Sequence, residues 1–253
     1  MKVLFLGTGP SLGVPVPTCS CTTCSSSDPR DKRLRSSVYI VTDRTSFIID
    51  CGPDFRQQAL EHDIKIIDFI LVTHKHNDHI GGLDDVRPFN YSQSRVMRIF
   101  GNEDTIKDIK KRFYYSFEEK PYPGTPKFEL KIVSEDLVID GFKIEIINGF
   151  HGEMPVLGFR LGDFAYLTDF KYIEDNEIIK LAGTKILVIN ALLPEREHKL
   201  HFNLPEALRL ADKIKPDKVY LTHLSHRFAP HNHSEKLLPE NVFLAYDGLE
   251  LEI

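Results

Sequence analysis

Apolar positions along this chain of 253 residues fall in short runs of four to six, cut by turn residues. KVLFL (2–6), SVYIV (37–41), SFIID (46–50), DFILVT (68–73), FKIEII (142–147), VLGFRL (156–161) and FAYLT (164–168) have the length and the β-branched or aromatic content of strands. KILVIN (185–190), KVYLT (218–222), VFLAY (242–246) and LELEI (249–253) continue the pattern. Gly162-Asp163 joins two of these runs and predicts a β-hairpin. Helical spacing is rarer. Ile106, Ile109, Phe113 and Phe117 form one stripe over 103–117, and Leu204, Ala207, Leu208 and Ala211 another over 204–214. Asn203 stands at the N-cap of the second, Glu206 completes a capping box, and Pro216 closes it.

Strands with one or two helices, followed by the same order again, predict an α/β chain with two sheets face to face and helices outside. No linker is visible, so residues 1–253 read as one domain. The Pro- and Gly-rich stretch EEKPYPGTPKF (118–128) reads as an excursion loop. The chain is 42% apolar and 27% charged, ordinary for a globular protein with a sizeable core. A net charge of -5 gives no overall basic character to hold long nucleic acid. The opening apolar run ends in Gly7-Thr8-Gly9, too short for a signal peptide, and no run approaches the ~18 residues of a membrane span. The expectation is a cytoplasmic protein with no membrane partner. Its oligomeric state is open, with a homodimer compatible.

One stretch carries most of the chemistry. LVTHKHNDHIGG places His74, His76, Asp78 and His79 directly after a strand and before Gly81 and Gly82. Histidine and aspartate are costly to bury together without a partner, and a divalent metal is the natural one. His74 and His76 can point the same way, whereas the adjacent Asp78 and His79 must diverge unless the chain turns into a helix. Two metals a few ångströms apart use that divergence. The plain alternative, a solvated His-rich loop, is weakened by His151, Asp169 and His223, each just past a strand-like run.

THKHNDHIGG with His151, Asp169 and His223 resembles the His-x-His-x-Asp-His motif and later motifs of the metallo-β-lactamase superfamily. The resemblance spans the chain, including FIIDCGPD (47–54) and FLAYDGLELEI (243–253). It implies a metallo-β-lactamase-like four-layer αβ/βα sandwich with a two-metal site between the sheets. It also implies that His74, His76 and His151 hold one metal and that Asp78, His79 and His223 hold the other. Asp169 would bridge them, Asp50 would support the ligand loop, and Asp78 would be catalytic as well as a ligand.

The cysteines sharpen this. Cys19, Cys21 and Cys24 fall within six residues, a spacing suited to metal rather than to a disulfide framework. Three thiolates leave one zinc position open, and His226, three residues after His223, is the best fourth ligand for a structural zinc. The rivals are a catalytic zinc holding water and three free thiols. Cys51 reads as a small buried residue. The Cys-x-Cys-x-x-Cys run resembles the PhnP-type phosphodiesterases of the carbon–phosphorus lyase pathway, which act on phosphoribosyl cyclic phosphate. A similar run occurs in the PqqB type of cofactor-synthesis protein. The phosphodiesterase resemblance implies that His201 is the general acid, with His198 the alternative.

The reading is therefore metal-assisted hydrolysis of a small phosphodiester, a cyclic ribose or nucleotide phosphate, by two divalent ions, zinc or manganese. Arg87 and Tyr91, close after the metal loop, are the expected substrate contacts. The rivals are a ribonuclease Z-like nuclease, for which the 110–130 excursion is short and mixed in charge, and a thioester or lactam hydrolase. A non-enzymatic redox or metal-binding module is the last.

Overall fold

The computed structural model describes residues 1–253. One seven-stranded sheet takes β1 (Lys2–Gly7), β2 (Ser37–Val41), β3 (Ser46–Ile49), β4 (Phe69–Leu71), β5 (Met97–Gly101) and β6 (Phe128–Ile132) in chain order. The other runs from β7 (Leu137–Ile139) through β8 (Phe142–His151), β9 (Met154–Leu161), β10 (Phe164–Leu167), β11 (Ile186–Asn190) and β12 (Lys218–Thr222) to β13 (Val242–Leu244). The last strand, β14 (Glu250–Glu252), returns to pair with β1.

Both sheets begin antiparallel and turn parallel part-way. The change comes at β3 and β4 in the first and at β10 and β11 in the second. The loops that follow β3, β4, β10 and β12 carry Asp50, His74, Asp169 and His223.

The helices are α1 (Phe55–Glu61), α2 (Asn77–Ile80), α3 (Arg87–Gln93), α4 (Glu103–Arg112), α5 (Asp175–Lys180), α6 (Leu204–Ile214) and α7 (His231–Ser234). Successive side chains of a strand point to opposite faces, so a strand covered on both sides reads as an unbroken apolar run. In β3, Phe47 and Ile49 enter the core between the sheets with Phe5, Phe69, Phe159 and Tyr166. Ile48 faces the other way, against Phe55 of α1, Phe89 of α3 and Ile109 of α4. In the second sheet Val188 joins the central core, while Leu187 and Ile189 meet Ala207, Leu210 and Ile214 of α6. The result is helix, sheet, sheet, helix, the four-layer α/β sandwich expected. No helix is long and apolar enough to cross a membrane.

The hairpin forms as expected, with Leu161 opposite Phe164 and Gly162 at φ 62°. The capping box of α6 is present, Asn203 accepting from the Glu206 N–H and Glu206 from the Asn203 N–H. The expected helix over 103–117 is shorter. It ends at Arg112, and a 3-10 turn over Tyr114–Ser116 carries the rest of the stripe. Phe113 and Phe117 still pack against Phe128, so tertiary contact, not helical continuity, explains their spacing. Residues 118–127 hold no helix or strand, and β6 begins at Phe128. Strands β5, β6 and β7 had no distinct sequence signal.

Candidate metal centre and active site

The site is assembled from strand ends. Asp50 follows β3, His74 follows β4, Asp169 follows β10, His223 follows β12, and His151 ends β8. Asp50, Asp169 and His223 have left-handed backbones, at φ 66°, 63° and 57°. Outside glycine that conformation costs about 1–2 kcal/mol per residue, and it concentrates where geometry serves a site. Asp78 and His79 lie on the short α2, so the turn into a helix aims both inward.

Close backbone approach lets α2 sit there. The Cys51 N–H donates to the His79 carbonyl at 2.7 Å, and the Gly82 N–H donates to the Cys51 carbonyl at 2.9 Å. A Cβ on Gly52 would stand 2.1 Å from the Asp78 carbonyl oxygen, and one on Gly82 2.0 Å from the Gly52 carbonyl oxygen.

Three groups of donor atoms lie close enough to share an ion: His74 with His76 and His151, His74 with His79 and Asp169, and His151 with Asp169 and His201. Asp169 sits at the middle. Its Oδ2 is 3.4 Å from His79 Nε2 and 3.3 Å from His223 Nδ1, and its Oδ1 is 2.9 Å from His201 Nε2. Asp78 Oδ2 stands 3.3 Å from His79 Nε2. All seven residues expected to hold metal therefore converge, and His201 joins them.

The surroundings orient these rings. His151 Nδ1 donates to the Leu200 carbonyl at 2.7 Å, freeing Nε2 for the centre. Asp50 accepts from His79 Nδ1 at 2.7 Å and from the Thr73 N–H at 2.8 Å. The Thr73 hydroxyl lies within 3.0 Å of both Asp50 oxygens and of His74 Nδ1. Ser36 Oγ lies 3.2 Å from His223 Nδ1.

The donor set fits divalent cations. Nε2 of His79 and Nε2 of His223 are buried without a hydrogen-bond partner, a costly state that an ion relieves. Burial pushes the His151 and His223 imidazoles down to about 4, which keeps them neutral as ligands must be. Burial also opposes ionisation of Asp169, but its neighbours His223, His79 and the hydrogen-bonded His201 outweigh it and hold the carboxyl well below its usual range. His79 is opposite: burial is overcome by Asp50, Asp169 and Asp78, which push its imidazole up. Three carboxylates around one ring mark a place built for positive charge.

The thiols form a second cluster. Cys19, Cys21 and Cys24 place Sγ at 3.2, 3.5 and 3.5 Å from His226 Nδ1. The Cys24 N–H donates to Cys21 Sγ and the Val16 N–H to Cys24 Sγ, the backbone bonding a thiolate site uses. The Cys24 N–H is the largest influence on Cys21 and helps bring its thiol down to about 6, while burial pushes Cys24 up to about 11. Cys51 is fully buried, apart from this cluster, among apolar side chains.

A depression of about 370 Å³ opens beside His198, His201 and His223. Arg87 and Tyr91 do not line it. Arg87 is tied to Asp84 at 2.6 Å, and Tyr91 lines a separate hollow with Asn90, Arg95 and Lys127. Their sequence proximity to the metal loop does not bring them to it, because α3 carries them outward. A larger depression of about 520 Å³, floored by Phe55 and Phe89, touches none of the histidines. Thr73 and Ser36 were not foreseen, since a hydroxyl at a strand end carries no distinctive pattern.

Residues 45–224 match the family described as a beta-lactamase superfamily domain. The crystal structure of a diphosphatase from the PhnP family is 40% identical and superposes with a TM-score of 0.92, over 100% of this chain and 97% of that one. This chain belongs to the metallo-β-lactamase superfamily, within its PhnP family. The octanoyltransferase of Porphyromonas gingivalis is 39% identical over 99% of this chain but only 51% of that protein. Ribonuclease Z of Methanococcus maripaludis (strain C5) is 28% identical over 78% of this chain and 64% of the relative. The chain thus spans about half to two thirds of the length of these curated relatives.

Proposed function

We propose that the chain hydrolyses a small phosphodiester, with cyclic ribose or nucleotide phosphates the best-fitting class. His74, His76 and His151 would hold one divalent ion, and Asp78, His79 and His223 a second, with Asp169 between them. Zinc and manganese both suit this nitrogen and oxygen set. The thiolates and His226 would hold a structural zinc. When bound, the pair of ions supplies Lewis acidity and positive charge for attack of water at phosphorus.

The chain's own residues do the rest. Asp50 and Thr73 lock the rings of His79 and His74, so the ligands need no reorganisation. His201 Nε2 donates to Asp169 Oδ1, and its Nδ1 stands 3.1 Å from His198 Nδ1. That His198 nitrogen already accepts from the Leu200 N–H at 3.2 Å. His201 thus bridges the ligand carboxylate and the His198 ring. His201 can hold a proton at the edge of the depression and pass it to a departing alkoxide. The observation that carries the reading is this placement of His201 between the ligand groups and the depression.

The test is a hydrolysis panel on metal-analysed protein. It compares bis(p-nitrophenyl) phosphate, ribose and nucleotide cyclic phosphates, a soluble diphosphate, a tRNA precursor and an octanoyl thioester. Turnover of the cyclic esters with the metals present supports the proposal. Exclusive turnover of the RNA or the thioester overturns it. The diphosphate arm is included because the PhnP-family structure is of a diphosphatase. The thioester arm reflects the octanoyltransferase, of whose length this chain covers 51%.

A further inference from the structure

The depression beside His201 and His223 takes Leu12, Val16, Leu192 and Leu193 into its lining, and no carboxylate touches it. Its permanent charge is Arg227. Arg35, Arg87 and Arg112 each hold an aspartate, but Arg227 is exposed and enters no ion pair. Its backbone is fixed nonetheless. The Arg227 N–H donates to Ser225 Oγ at 3.3 Å, the preceding His226 sits among the thiols, and the following Phe228 carbonyl accepts from Thr23 Oγ1 at 2.6 Å. A pinned backbone thus sets Arg227, which enters no ion pair, in the lining of a hollow beside the histidine–aspartate centre.

We propose that Arg227 is a specificity residue that binds a second anionic group of the substrate, apart from the phosphorus attacked. The proposal rests on the phosphodiesterase reading and narrows it. A guanidinium is the side chain best shaped to hold a phosphate through paired hydrogen bonds. The leucines leave the intervening sugar or ring an apolar wall. The volume of about 370 Å³ is near the lower end for ligand sites and suits a small dianion, not a polymer. Two sources supply the second anion: a terminal phosphate on a cyclic ester, or the neighbouring phosphoryl group of a diphosphate.

Kinetics on the metal-loaded protein separate them. The substrates are ribose 1,2-cyclic phosphate with and without a 5-phosphate, bis(p-nitrophenyl) phosphate and ADP-ribose. R227Q is expected to lower kcat/KM about 10- to 100-fold on two-anion esters, through KM, and less than about threefold on one-anion esters. R227K should recover part of the loss. L12E, a carboxylate in the same lining, should cause the same selective loss with Arg227 intact. A loss confined to the 5-phosphate ester identifies the terminal phosphate; one confined to ADP-ribose identifies the diphosphate. Calorimetry gives a readout without turnover: R227Q should bind ribose 1,5-bisphosphate about tenfold more weakly and orthophosphate within about twofold of wild type. Equal losses on one- and two-anion esters, or none on either, overturn the role of Arg227. A wild type that turns over no ester overturns the phosphodiesterase reading beneath it.

Discussion

His201 Nε2 stands 2.9 Å from Asp169 Oδ1, across 32 residues of sequence, and both side chains are buried. Asp169 also lies within 3.4 Å of His79 and His223, so one carboxylate orients the proposed acid and joins the ligand groups. The two functions separate on mutation. His201→Ala should keep its metal content and lose about 10²–10⁴-fold in kcat. Elemental analysis beside steady-state kinetics checks this, and retained turnover would remove His201 from the chemistry.

Asp50 touches no substrate, yet it anchors His79 Nδ1 and both donors of Thr73. Asp50→Ala should weaken metal binding at the histidine–aspartate centre by about 10- to 100-fold, as loss of an orienting partner does. Competition with a chromophoric chelator measures the affinity. Unchanged affinity would mean that the ligand rings hold their orientation without it.

The histidine–aspartate cluster could be read from sequence because its chemistry is concentrated: His74, His76, Asp78 and His79 lie within six positions, and His151, Asp169 and His223 each follow a strand-like run. Both faces of those strands are buried, which makes their apolar runs unbroken and easy to recognise. β6 offered no such run, since Glu129, Lys131 and Ile132 are exposed at a sheet edge. The pocket was harder still. Leu12, Leu193 and Arg227 meet only through folding, so no local pattern joins them. Arg87 and Tyr91 were inferred from adjacency along the chain, a weak guide where a helix carries residues away from the loop before it.

The thiol cluster ties the N-terminal loop to the segment after β12, through His226 and through Thr23 on the Phe228 carbonyl. Cys24→Ser should remove one zinc per chain and leave the histidine–aspartate metals in place. Metal binding at a structural site contributes folding energy, so the melting temperature should fall by several degrees, about 2–4 °C for each 1 kcal/mol lost in a chain this size. Elemental analysis with calorimetry tests both halves. Loss of every metal at once would show that the two centres do not load independently.

Gly82 tests the docking of α2. Its Cβ would lie 2.0 Å from the Gly52 carbonyl oxygen, a backbone atom that no rotamer change can move. Gly82→Ala should destabilise the fold by about 2–4 kcal/mol and reduce metal content. Gly101→Ala, whose Cβ would meet side chains alone, Thr105 at 3.3 Å and Ile106 at 3.7 Å, should be far milder. Chemical denaturation of both variants gives the comparison. Similar losses would mean that the 52–82 contact relaxes freely.

Asp247 gives the chain a pH dependence outside the metal centre. It accepts from Thr8 Oγ1 at 2.7 Å and from the Leu34 N–H at 2.6 Å, and burial pushes its carboxyl up to about 7. The unfolded chain's aspartate titrates near 4. Between those values the folded state binds more protons than the unfolded state, so the stability this group contributes is complete below pH ~4 and is lost as pH rises through about 7. The slope is at most about 1.4 kcal/mol per pH unit. Asp247→Asn keeps one acceptor oxygen for the Leu34 N–H, turns the other position into a donor facing Thr8 Oγ1, and has nothing to titrate. Its stability relative to wild type should therefore increase from pH 5 to about 7 and level off above it in urea denaturation. A flat difference across that range would mean that the buried Arg33 nearby keeps Asp247 ionised throughout.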